Sequence, residues 1–122
     1  MHAALTEQVI GLAIEVHRET GPGLLESVYE GCLCQELAAA EISFERQVGV
    51  PVFYKGTKFD AGFRADIVVD RAVILEIQAA NAILSVHEAQ LQTYLRMSGI
   101  RVGLILNFNA RRLKDGVCRI VV

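Results

Sequence analysis

The chain has 122 residues, 52% of them hydrophobic, only two prolines and a net charge of −2, which suits one globular domain and leaves no room for a second. An apolar content this high for the size hints at a buried subunit contact, with a homodimer as the simplest form. No basic leader opens the chain, Glu7, Gln8 and Glu15 break its first apolar stretch, and Cys32, Cys34 and Cys118 are odd in number, which argues against a signal peptide, a membrane span, a disulfide framework or a zinc knuckle and predicts a reducing, cytoplasmic setting.

Leu5, Val9, Leu12, Ala13 and Val16 recur at helical spacing until Gly21-Pro22-Gly23 stops them, which predicts a helix over residues 4–19. A second helix follows, with Leu25, Val28, Cys32, Leu33, Leu37 and Ala40 as its apolar stripe and Glu26 in its first turn. From Phe44 to Ala79 the pattern turns β-branched and alternating, giving strands over 44–53, 58–69 and 72–79 with a turn at Lys55-Gly56. Ser85-Val86-His87-Glu88 has the form of a capping box and Gly99 is a good stop, so 86–98 is read as a third helix. Val102–Leu106 reads as a buried strand and Val117–Val122 as a short last one, for the order ααβββαββ.

The chemistry-bearing residues are Glu26, Asp66 and Glu76, with Gln78 two residues beyond Glu76. Oxygen-rich sets of this kind hold Mg²⁺ or Mn²⁺, and their usual work is splitting a phosphodiester. Alternation puts Ile74, Glu76 and Gln78 on one face of the third strand, read as the chemical face, and Val73, Leu75 and Ile77 on the other, read as core. A two-residue turn at Asp70-Arg71 would send Asp66 and Glu76 to opposite faces, whereas a three-residue connection through Asp70, Arg71 and Ala72 sets them across from each other; an odd loop or a bulge is therefore expected. Spacing alone also suits a hydrated outer strand face. Glu26 equally suits the positive end of a helix dipole. On the third helix Gln90 and Tyr94 stand four apart, with His87 one turn earlier, and can position a phosphate or a terminal nucleotide; a Tyr packed on the sheet with Gln at its rim is the plainer alternative. His17 and His87 read first as packing or capping residues.

Charge is graded along the chain. Residues 1–50 hold eight acids against Arg18 and Arg46, while residues 100–122 hold Arg101, Arg111, Arg112, Lys114 and Arg119 against Asp115 alone. That end can meet phosphates or simply be solvated loop.

Gly23-Leu24-Leu25-Glu26-Ser27-Val28-Tyr29 reads as Gly-x-x-Glu-x-x-Tyr. With Gly21-Pro22, Asp66, Glu76-Ile77-Gln78, His87-Glu88-Ala89-Gln90 and Asn107-Phe108-Asn109, the chain resembles the GxxExxY proteins, small members of the PD-(D/E)XK nuclease superfamily, over Leu5 to Val121. The resemblance implies an α/β fold with a central mixed sheet flanked by helices. It further implies that Glu26, Asp66 and Glu76 are the catalytic acids and metal ligands, and that Gln90 and Tyr94 form the substrate-facing Gln-x-x-x-Tyr helix of the RecB-like branch. It also implies nucleic acid, DNA first, as partner. The chain departs from the pattern at Gln78, where the family carries Lys; a neutral amide offers hydrogen bonds in place of a positive charge, which costs about 10²-fold or more in rate. The function expected is metal-dependent hydrolysis of nucleic acid, slow or absent because of Gln78, with a noncatalytic nucleic-acid-binding or regulatory protein as the alternative.

Overall fold

A computed structural model describes residues 1–122. Helix α1 spans Ala3–Thr20 and α2 Glu26–Ala39; strands β1 (Phe44–Tyr54), β2 (Thr57–Val69) and β3 (Val73–Gln78) follow, then α3 (Ser85–Ser98), β4 (Val102–Asn107) and β5 (Val117–Val121). The expected order ααβββαββ holds, and the single addition is a 3₁₀ turn at Leu113–Gly116. The sheet runs β1-β2-β3-β4-β5. Only β3 and β4 are parallel, because α3 carries the chain back across one face between them. This is a mixed α/β sheet with helices on both sides.

Two cores sandwich the sheet. Val9, Ala13 and Val16 of α1 and Tyr29, Leu33 and Leu37 of α2 pack on Ile67, Val69, Val73, Leu75, Ile77, Leu104 and Leu106. Leu91 and Leu95 of α3 pack on the opposite face against Ala65, Val68, Ile74, Ile105 and Ile120. α3 sits close because Gly103 leaves room for it, since a Cβ there would stand 2.9 Å from the Leu91 methyls. The reading of Ile74, Glu76 and Gln78 as a purely chemical face is thus corrected. Ile74 is fully buried under α3, and chemistry is confined to the C-terminal end of β3.

The β2–β3 register is set by the expected three-residue connection. Val69 pairs with Val73, Val68 with Ile74 and Ile67 with Leu75, and Asp70 and Arg71 both take left-handed backbone, φ 51° and 52°. Ser85 proves to lie inside α3 rather than capping it. Leu84 is the N-cap, and its N–H donates to Nδ1 of His87 at 3.0 Å, so the histidine supplies one half of a capping box. No helix is long and apolar enough to cross a membrane. All three cysteines are free.

Candidate active site

The Gly-x-x-Glu-x-x-Tyr segment is built to place Glu26. Gly21 and Gly23 adopt φ 71° and 102°, which a side chain would resist. The loop they form is tied down by Tyr29, whose hydroxyl donates to the Gly21 carbonyl at 2.6 Å and accepts the Leu24 N–H at 3.0 Å. Tyr29 itself is fully buried and stacked on Phe108, with ring centroids 4.6 Å apart. Glu26, three residues before it, therefore emerges at a fixed point, and its Oε2 accepts the N–H of Ala79 at 3.2 Å, just past the end of β3. Leu24, Leu25, Glu26, Ser27 and Ala79 line an open hollow of about 460 Å³ there.

Asp66 stands where the hairpin changes sides. Arg46 faces α2 and pairs with Ile67, yet Val48 and its partner Ala65 belong to the core under α3. The alternation slips by one residue at Gln47 and Asp66, which the register sets opposite each other. Gln47 marks the slip with a left-handed φ of 51°. Irregularities of this kind re-aim side chains, and they recur beside active sites. The β2–β3 ladder also ends one pair short of Asp66 and Glu76, and Oδ2 of Asp66 accepts the Ile77 N–H at 2.8 Å in place of a strand neighbour.

Glu76 is the most perturbed acid of the chain. Burial, the negative charge of Asp66 and a hydrogen bond to Asp66 that needs Glu76 protonated together push it up to about 9. Asp66 is raised as well, first by burial and then by Glu30 and Glu26, against the lowering effect of the Ile77 N–H. The Oε1 atom of Glu76 is buried and has no hydrogen-bond partner, and the same is true of Oε1 of Gln78. Two close acids and an unmet buried oxygen are what a cation would satisfy. The donor set therefore fits a hard divalent ion. The expected three-acid cluster is nonetheless not preformed: no three His, Cys, Asp or Glu side chains gather in metal-holding geometry. Glu26 stands apart from the other two, its carboxylate engaged by the Ala79 N–H.

α3 brings Tyr94 to the same region. Its ring lies flat on Phe63, centroids 4.0 Å apart and planes 3° apart, and its hydroxyl accepts from Nε2 of Gln90. Burial first, and then the charge of Glu76, raises the Tyr94 phenol. Tyr94 thus both packs on the sheet, the plainer alternative, and borders the acids, whereas Gln90 stays exposed.

Sequence reading missed a second constellation next to this one. Glu30, one turn after Glu26, is 6% exposed. Its Oε2 accepts Nε and Nη2 of Arg46 at 3.1 and 2.9 Å, and its Oε1 accepts Nε2 of Gln47 at 2.9 Å. The signal available was Glu26 and Glu30 at i, i+4 on one helix; nothing local marks Gln47 as left-handed. Asn107, the first residue of the Asn-Phe-Asn motif, has a structural role. It is buried and clamps the segment after β3, accepting Ala80 N–H at 3.1 Å and donating to the Ala80 carbonyl at 2.9 Å.

Both histidines are structural. His17 Nε2 bonds the Ala110 carbonyl at 2.9 Å and His87 caps α3. The five C-terminal cations differ in their surroundings. Arg101 binds the Val122 carbonyl at 2.9 Å and Arg119 the Met1 carbonyl, while Arg111, Arg112 and Lys114 join Arg18 around an open hollow of about 280 Å³.

The fold and site together define a nuclease-like α/β domain. A family model described as the PD-(D/E)XK nuclease superfamily matches residues 3–120, and the chain belongs to that superfamily. No curated protein and no solved structure matches it.

Proposed function

We propose that this protein hydrolyses phosphodiester bonds of nucleic acid, DNA first, with Mg²⁺ or Mn²⁺ held by Asp66 and Glu76, and that it stands with the GxxExxY proteins of the RecB-like branch. The observation that carries the reading is the partnerless, buried Oε1 of Glu76 beside Asp66, in a carboxyl held near 9. A divalent ion there would supply Lewis acidity toward a phosphate oxygen and lower the pKa of a water. Glu26 reaches this end of β3 and would take a second ion or an ordered water once released from Ala79. Gln90 and Tyr94 would orient the phosphate or stack on the terminal base. Gln78 adds hydrogen bonding in place of a positive charge, which favours slow turnover. Three free cysteines suit a cytoplasmic setting.

A second reading has its own support. Gln78 and the unclosed acid trio suit a noncatalytic nucleic-acid-binding or regulatory protein of the same fold. Labelled DNA and RNA oligonucleotides incubated with Mg²⁺ or Mn²⁺ separate the two. Cleavage that disappears in Glu76→Ala and rises about 10²-fold in Gln78→Lys supports catalysis. Binding without cleavage in every variant, Gln78→Lys included, supports the second reading.

A further inference from the structure

The β1–β2 hairpin runs well past the rest of the sheet. β2 pairs with β3 only from Ile67 to Val69, and from Gly49 to Arg64 no residue is buried. Register fixes what this arm presents. Val48, Val50, Val52 and Tyr54 alternate onto one side of β1, opposite Ala65, Phe63, Phe59 and Thr57. Two extra residues bulge from β2 between Phe59 and Phe63, an even number, so both rings stay on that side. Gly62 permits the bulge, because a Cβ there would strike the Val52 side chain. Val48 and Ala65 lie under α3 and Phe63 stacks on Tyr94, so this is the face of α3 and of the Tyr94 hydroxyl beside the acids. Farther out the face has no cover. Phe59 is 54% and Tyr54 61% exposed, and the ammonium of Lys55 sits 5.4 Å from the Tyr54 ring centroid.

We propose that this arm is a binding platform for single-stranded nucleic acid, which stacks bases on Phe59 and Tyr54 and continues over the Phe63–Tyr94 stack to the Asp66–Glu76 end. The inference rests on the nucleic-acid reading above and names the substrate class. Charge selects the occupant: Lys55 stands at the turn over Tyr54, and residues 48–64 as a whole hold Lys55, Lys58 and Arg64 against Asp60 alone in a chain of net charge −2. Lys58 and Arg64 lie on the reverse side of the arm, opposite Phe53 and Gly49, and Lys58 is 3.6 Å from Asp60. Exposed rings, one of them under the Lys55 ammonium, on an arm that is positive as a whole fit bases and phosphates better than an apolar protein surface. Ring faces can stack only on unpaired bases, so a duplex, whose bases already stack on each other, is a poor occupant. From Val50, opposite Phe63, to Tyr54 the arm extends about 13 Å at ~3.3 Å per residue, enough for a short run of nucleotides.

The test measures anisotropy of a labelled single-stranded DNA, an RNA of the same sequence and the corresponding duplex. Each is titrated with the Glu76→Ala protein, which does not consume the probe, with and without Tyr54→Ala/Phe59→Ala or Lys55→Glu/Lys58→Glu. Single strands should bind more tightly than duplex. The aromatic pair should weaken them by about tenfold or more, and the lysine pair should flatten the salt dependence. Unchanged single-strand affinity in the aromatic variant, preference for duplex, or no binding overturns the platform. So does a solution mass showing a dimer that this variant dissociates, since the arm would then bind a second copy. The two readings fail separately: aromatic-dependent binding by a wild-type protein that cleaves nothing keeps the platform and removes catalysis. Cleavage indifferent to Tyr54 and Phe59 does the reverse.

Discussion

At the scale of single residues the chemistry is concentrated in one carboxyl. Folded Glu76 ionises near 9, against 4.5 for a free side chain, so between those values the folded chain holds a proton that the unfolded chain has lost. Its contribution to stability is complete below the unfolded value and disappears as pH rises through the folded one. The metal-free protein should therefore melt at progressively lower temperature from about pH 5 to pH 9 through this group. Glu76→Gln, which cannot ionise, should flatten that decline and stabilise the protein most at the alkaline end. Mg²⁺ should act in the same direction as the substitution in wild-type protein, because the ion replaces the proton, and its affinity should rise with pH by at most about tenfold per unit. Thermal melts of both proteins across this range, with and without Mg²⁺, check all three. A decline equally steep in Glu76→Gln would show that the proton is held elsewhere.

At the scale of elements the decisive feature is how α2 is joined to β1. Glu30 is almost wholly buried, and its charge is met by Arg46 and Gln47; removing Arg46 leaves that charge uncompensated among Asp66, Glu76 and Glu26. Breaking a buried pair from one side costs more than the pair is worth. With the Arg46 side chain 45% exposed, solvent reduces the loss, and Arg46→Ala should cost about 1–3 kcal/mol in urea unfolding. Glu30→Gln combined with Arg46→Ala should be clearly more stable than Arg46→Ala alone. If the double variant is the weaker of the two, the Glu30 charge is not left uncompensated by the loss of Arg46.

Elements of this kind show where sequence reading succeeds. The register of β2 on β3 was legible because it depends on parity: a three-residue connection, and no two-residue one, sets Asp66 across from Glu76. Helix ends were legible from Gly21 and Gly99. The slip at Gln47 was not, because glutamine carries no preference for left-handed backbone, and its side chain is bonded to Glu30, a contact between residues distant in the chain. The burial of Ile74 was hidden for a related reason. Alternation shows that Ile74 and Glu76 share a face but not how far along it α3 extends. The Gly-x-x-Glu-x-x-Tyr spacing was readable as a motif, while the work of its tyrosine, fastening the loop before Glu26, became clear only when its hydroxyl was seen between Gly21 and Leu24.

At the scale of the whole molecule, stability is unevenly distributed. All six residues of β4 are buried, between two paired strands and beneath helices on both faces, so their amides can exchange with solvent only when the domain unfolds. The outer hairpin has ladder hydrogen bonds but no buried residue between Gly49 and Arg64. Opening it exposes little apolar surface and leaves both cores intact, so it should open alone. Leu104→Ala removes a fully buried side chain and should cost about 2–5 kcal/mol. In native-state hydrogen exchange that loss should appear in full as faster exchange along β4 and hardly at all at Val52 to Phe59, whose exchange never required the core to open. A hairpin that speeds up together with β4 in Leu104→Ala would mean that the arm and the cores unfold as one unit. The arm would then be a structural member of the domain, without the independent mobility expected of an element that adjusts to a bound strand.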